Sequence, residues 1–147
     1  MNNFRKAILV SLGVATAFAT TVASAARPDN LAGTTWSMQV NQAAEQLIIN
    51  TQSGPGAPGA STCRVINGEL GIAPPTIRIR GWYCPSTGRI HFLHKNLNNN
   101  TTVRVFTGTV SDVPADPLNT TWYMSGTMYV DDANFGDYGE YNFSATK

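Results

Sequence analysis

Two stretches decide the fold: TTVRVFTGTVS at residues 101–111 and TTWYMSGTMYV at residues 120–130. Both are rich in β-branched and aromatic side chains, which suit a pleated, half-buried surface. Both also carry a glycine between hydroxyl residues, as Thr107-Gly108-Thr109 and Ser125-Gly126-Thr127. A glycine inside a strand marks a bend or a bulge. Two kinked strands late in the chain favour a closed barrel over a flat sandwich.

The chain before and after them follows the same pattern. Thr34–Val40 sets Trp36, Met38 and Val40 against Thr35, Ser37 and Gln39, a period of two that defines a strand with one buried face. Gln46–Thr51, Cys63–Ile66, Glu69–Ile72, Thr76–Cys84, Arg89–Lys95 and Tyr141–Ala145 also read as strands. Gly54–Ser61, GPGAPGAS, reads as an irregular loop. Asn67-Gly68 reads as a hairpin turn, because both residues tolerate positive φ. Pro85–Gly88 reads as a turn with proline early and glycine late. Pro114 and Pro117 make Asp112–Asn119 a connection rather than a central strand. Asn41–Gln46 is a short helix candidate. The expected architecture is all-β, an antiparallel up-and-down β-barrel of about eight strands, with a β-sandwich as the alternative.

The N-terminus carries its own signal. Arg5 and Lys6 precede an apolar run, Ala7–Val22, and Ala23-Ser24-Ala25 supplies small residues at a cleavage position. That order is a secretory signal peptide. Residues 1–25 are therefore expected to be removed, leaving residues 26–147 as a single domain, secreted or periplasmic in a bacterium, with no membrane attachment after cleavage. Loss of Arg5 and Lys6 takes the formal charge from +1 to −1. With 42% hydrophobic and 13% charged residues, the chain is neither disordered nor suited to a nucleic acid backbone. Cys63 and Cys84, an even count in an oxidising compartment, are expected to form one disulfide.

Several short motifs carry a family likeness. Leu31-Ala32-Gly33-Thr34-Thr35-Trp36 resembles the Gly-x-Trp opening of the first strand in calycin barrels, the lipocalins and avidins, with one extra residue before Trp36. Val105-Phe106-Thr107-Gly108 resembles the Val-Phe-Thr-Gly strand of avidins. Thr121-Trp122-Tyr123 resembles the tryptophan strand that follows it, and Tyr141-Asn142-Phe143 the final strand. The likeness covers the first strand and about the last fifty residues. Met38 stands where avidins place an asparagine, and Asp131–Gly139 contains no tryptophan. The biotin-site pattern is not preserved, so the resemblance implies the barrel and not biotin binding.

Candidate binding residues are aromatic and cationic. Trp36, Trp82 and Trp122 lie on different strands, which a barrel can bring together, with Met38 and Met124 two positions along. These side chains either wall a pocket for a small apolar or aromatic ligand or fill the core. Arg78, Arg80, Trp82 and Cys84 share one strand face, while Ile77, Ile79 and Tyr83 share the other. An Arg-x-Arg-x-Trp face either binds an anion and stacks a ring, or is a solvated exterior. His91 and His94 point to opposite sides of a strand and cannot chelate one ion. Asp131, Asp132, Asn134, Asp137 and Glu140 gather oxygen donors without the spacing of a calcium loop. No metal or cofactor is expected. No nucleophile elbow, zinc-protease helix or phosphate loop occurs, and Glu45 and Glu69 are the acid/base pair available in principle. The expectation is a non-enzymatic barrel that binds a small apolar or aromatic ligand inside. The alternative is a surface-binding module, such as an inhibitor or adhesin, that recognises protein or carbohydrate.

Overall fold

The computed structural model describes residues 27–57, 60–71, 77–96, 98, 101–112, 121–131 and 138–147. The signal segment at residues 1–25, its cleavage point, and Asp132, Asn134 and Asp137 of the acidic loop lie outside these residues. Eight strands form, and no helix occurs among the described residues: β1 Thr34–Val40, β2 Ala43–Ala57, β3 Ala60–Leu70, β4 Ile77–Cys84, β5 Arg89–Asn96, β6 Thr102–Asp112, β7 Trp122–Val130 and β8 Gly139–Thr146. Each strand pairs antiparallel with the next. Strand β1 then pairs with β8, with Met38 opposite Ala145 and Val40 opposite Phe143. The sheet is thus a closed up-and-down barrel, as the sequence pattern predicts.

Closure leaves no exposed sheet edge and gives every strand an inner and an outer face. Strand β1 alternates strictly, with Trp36, Met38 and Val40 buried and Thr35, Ser37 and Gln39 exposed. Phe92, Phe106 and Phe143 meet at the barrel centre. Phe92 and Phe106 stack with centroids 4.5 Å apart, and Phe143 meets Phe106 edge-on at 5.4 Å. An eight-stranded barrel has an interior that side chains of this size can fill.

The two kinked strands meet at their glycines. Gly108 pairs directly with Gly126 across β6 and β7. A Cβ on Gly126 would strike the Thr107 carbonyl oxygen, and one on Gly108 would meet the Phe143 ring at 3.0 Å. The paired glycines let the two backbones approach closely and let Phe143 lie over them.

Three local expectations are corrected. Asn67-Gly68 is no turn, because both residues lie within β3. Gly68 faces a bulge at Asn50 of β2, where a Cβ would collide with the Ile48 carbonyl oxygen. Its glycine serves close approach rather than chain reversal. Gly54–Ser61 is not an irregular loop: β2 runs through Ala57 and β3 begins at Ala60, with register shifts that accommodate Pro55. Asn41–Gln46 is not a helix. Asn41 and Gln42, at φ of 44° and 71°, form a two-residue turn, and β2 starts at Ala43. That turn needs positive φ at both central positions.

Cys63 and Cys84 are bonded to each other across β3 and β4, on the outside of the barrel. The bridge spans a sequence separation of 21. A loop of that size restricts the unfolded chain by about 3 kcal/mol in the chain-entropy account. Reduction is expected to lower unfolding free energy by about that amount, read by urea denaturation with and without reductant. Two titrating thiols in the unfolded, unreduced protein would contradict the bridge.

Candidate functional site on the outer face of the β4–β5 hairpin

The alternation of β4 sorts the predicted site residues. Ile79 and Tyr83 are buried inside, so Arg78, Arg80, Trp82 and Cys84 point outward. Arg78 and Arg80 are exposed and Trp82 is half-buried. The turn at Pro85–Gly88, with Gly88 at a φ of 71°, sets the hairpin register. It places Lys95 opposite Arg78, His91 opposite Trp82 and Arg89 opposite Cys84. Four cations, Arg78, Arg80, Arg89 and Lys95, therefore share the outer face of one hairpin. On the other side of β4, Glu69 of β3 stands opposite Arg78 and Asn67 opposite Arg80. Glu69 is the only acidic residue on strands β3 to β5.

A cleft of about 640 Å³ opens on this face. Arg78, Arg80 and Lys95 line it with Asn50, Thr51, Asn67, Glu69 and Asn96. Asn50 is the bulged residue of β2, and bulges re-aim side chains in this way. Glu69 accepts a hydrogen bond from Asn50 Nδ2 at 3.5 Å, and Asn67 Nδ2 donates to Thr51 Oγ1 at 3.4 Å. Among the described residues, the one salt bridge is elsewhere and engages neither Arg78 nor Arg80. Their guanidinium groups are free to take a carboxylate or sulfate bidentately.

Beyond the cleft along β4, Trp82 stacks on His91 with centroids 5.6 Å apart and an interplanar angle of 25°. The Arg89 guanidinium lies 5.9 Å from the Trp82 centroid, within cation–π range. His91 Nδ1 bonds to Thr107 Oγ1 at 3.0 Å. Partial burial pushes the His91 pKa below its ordinary value.

The expected convergence of three tryptophans is met by two. Trp36 and Trp122 approach to 6.3 Å at one barrel end, with Met38 and Met124 buried beside them. Trp82 is excluded because it shares a face with the arginines. Trp36 is fully buried and donates from Nε1 to Thr34 Oγ1 at 2.8 Å. Trp122 is half-buried, with Lys147 Nζ 4.4 Å from its ring centre. Residues 27–31 cover this end. Leu31 is fully buried, and the Tyr83 hydroxyl donates to the Pro28 carbonyl at 2.7 Å. Burial pushes the Tyr83 pKa up to about 12, despite the opposing Arg27 charge, so the phenol stays a neutral donor.

A polar group closes the opposite end. Arg104 donates from Nη1 to Glu45 Oε1 at 2.6 Å and from Nε to His94 Nδ1 at 3.0 Å. His94 is fully buried, whereas His91 lies outside, so the two histidines point apart as expected. Glu45 and Glu69 are likewise separated, one committed to Arg104 and the other on the outer cleft. They do not form an acid/base pair.

Lys95, Arg89, Asn50 and Asn67 escape the sequence reading as site residues, and Glu69 enters it only as a possible acid/base partner of Glu45. A usable signal exists for two of them. A four-residue turn at 85–88 implies that 84 faces 89, and hence that 78 faces 95. Neither a protein-family model nor a curated protein matches this chain.

Proposed function

We propose that this protein is an exported, non-enzymatic barrel that recognises an anionic ligand on its outer surface, in the cleft of strands β3 to β5. The observation that carries this reading is the charge arrangement. Arg78, Arg80 and Lys95 stand with one acidic residue, Glu69, at a cleft rimmed by amides. Arg78 and Arg80 anchor an acidic group, and Asn50, Asn67 and Thr51 meet hydroxyls. The interior supports the same choice, because its aromatic residues pack against one another. The calycin-like motifs stand in this reading as a likeness of barrel and not of ligand. The disulfide agrees with an oxidising compartment.

A second reading places a small apolar ligand inside the barrel. It is favoured by Trp122, which is half-buried next to Trp36. Calorimetric titration with digalacturonate and with neutral digalactose separates the two. On the surface reading the acidic sugar binds and the neutral one does not. Arg78→Ala with Arg80→Ala weakens binding at least about tenfold, the effect of about 1.4 kcal/mol. Binding of digalacturonate that survives both substitutions, or failure of digalacturonate and its longer oligomers alike to bind, overturns the surface reading. Quenching of tryptophan emission by neutral N-phenylnaphthylamine supports the interior one.

A further inference from the structure

The cationic side chains extend well past the cleft. Along the outer face of the hairpin the opposed pairs run Arg78 with Lys95, Arg80 with Leu93, Trp82 with His91, and Cys84 with Arg89. Successive outward pairs are two residues apart, about 6.8 Å at the rise of an antiparallel strand. Cations stand in the first, second and fourth rows, so positive charge spans about 20 Å. The third row holds the Trp82–His91 stack, against which Arg89 rests. The cleft covers only the first two rows.

From this we infer that the ligand is a linear acidic polysaccharide that runs along the β4–β5 hairpin, with Arg89 as a distal anchor beyond the cleft. The inference rests on the surface reading above and deepens it. A compact anion held by Arg78 and Arg80 in the cleft would not reach Arg89, three rows from Arg78. A chain with a repeated carboxylate or sulfate meets all three levels. The amides Asn50, Asn67 and Asn96 and the Thr51 hydroxyl in the cleft suit a hydroxyl-rich polymer. A nucleic acid is less well matched. Successive single-stranded bases need a run of aromatic side chains, and the outer face of this hairpin offers one Trp82–His91 stack. The fixed row spacing also favours a stiff chain with regular charges over a flexible acidic peptide.

The test is chain length. Digalacturonate, tetragalacturonate and hexagalacturonate are titrated into the disulfide-bonded protein, and into Arg89→Ala and Arg89→Lys variants. Arg89 is exposed, and its replacement leaves the core untouched. The expected result is affinity that rises at least tenfold from the dimer to the hexamer. Arg89→Ala removes most of that rise while leaving dimer affinity unchanged, and Arg89→Lys restores part of it. Dimer and hexamer binding with equal affinity, or a hexamer indifferent to Arg89→Ala, overturns the inference while the surface reading stands. Failure of every length to bind overturns both. A polyglutamate or a single-stranded oligonucleotide that binds as tightly as the hexamer overturns the assignment to polysaccharide.

Discussion

Replacing Trp36 with alanine is expected to destabilise the barrel by about 3–5 kcal/mol. Trp36 is fully buried where β1 starts, and its ring leans on Trp122 at 6.3 Å. Its removal leaves a cavity that closed strands on all sides cannot collapse to fill. It also deprives the Thr34 hydroxyl of the indole donor at 2.8 Å. Trp36→Phe keeps most of the volume and is expected to recover more than half of the loss. The same alanine change at Trp122 is expected to cost less, because that ring is half-buried. Chemical denaturation at neutral pH ranks the three variants. Equal losses for Trp36→Ala and Trp122→Ala would contradict the packing described for this end.

Acidification is expected to destabilise the protein through His94. Burial, and secondarily the Arg104 charge, hold its pKa down at about 3 in the folded chain. The Nδ1 atom accepts from Arg104 Nε, which requires a neutral ring. In the unfolded chain the imidazole returns to an ordinary pKa of about 6.5. Between about pH 6.5 and pH 3 the unfolded chain therefore binds a proton that the folded chain refuses. Stability is fully present above about pH 6.5 and declines as pH falls through this window, by a total on the order of 5 kcal/mol. A glutamine at position 94 offers Arg104 an acceptor without titrating. Urea denaturation of the wild type and His94→Gln at pH 7.5, 5.5 and 4 reads the effect. The account predicts a steeper decline for the wild type. Parallel profiles would show that His94 does not carry the acid sensitivity.

Much of the barrel is legible because its strands obey two strong rules. Inner faces carry apolar residues at every second position, as in Trp36, Met38 and Val40, and clear turns separate the strands. What misleads is glycine, which has two meanings. At Gly88 it turns the chain, but at Gly68 it lets two strands approach. Local sequence does not separate these uses, because the second depends on Ile48, twenty positions away. Gly54 has neither use: it takes a φ of 58° inside a long strand with shifted register, and no neighbour crowds it.

The site was half legible for a related reason. Alternation within β4 groups Arg78, Arg80 and Trp82 on one face, and that grouping is correct. It also removes Trp82 from any interior shared with Trp36. The remaining cleft residues come from β2, β3 and β5 and are assembled by pairing across strands. Lys95 is reachable from the turn at 85–88. Asn50 is not, since its place depends on a bulge fixed by the partner strand.

The central claim is that recognition occurs on the outer face of β3 to β5. Nuclear magnetic resonance mapping with hexagalacturonate tests it most directly. The account predicts shifts at the amides of Arg78, Arg80, Trp82, Arg89 and Lys95 and at the Trp82 indole, with Trp36, Met38, Phe106 and Met124 unmoved. Shifts confined to those interior residues, or to the outer face of β6 to β8, would contradict it.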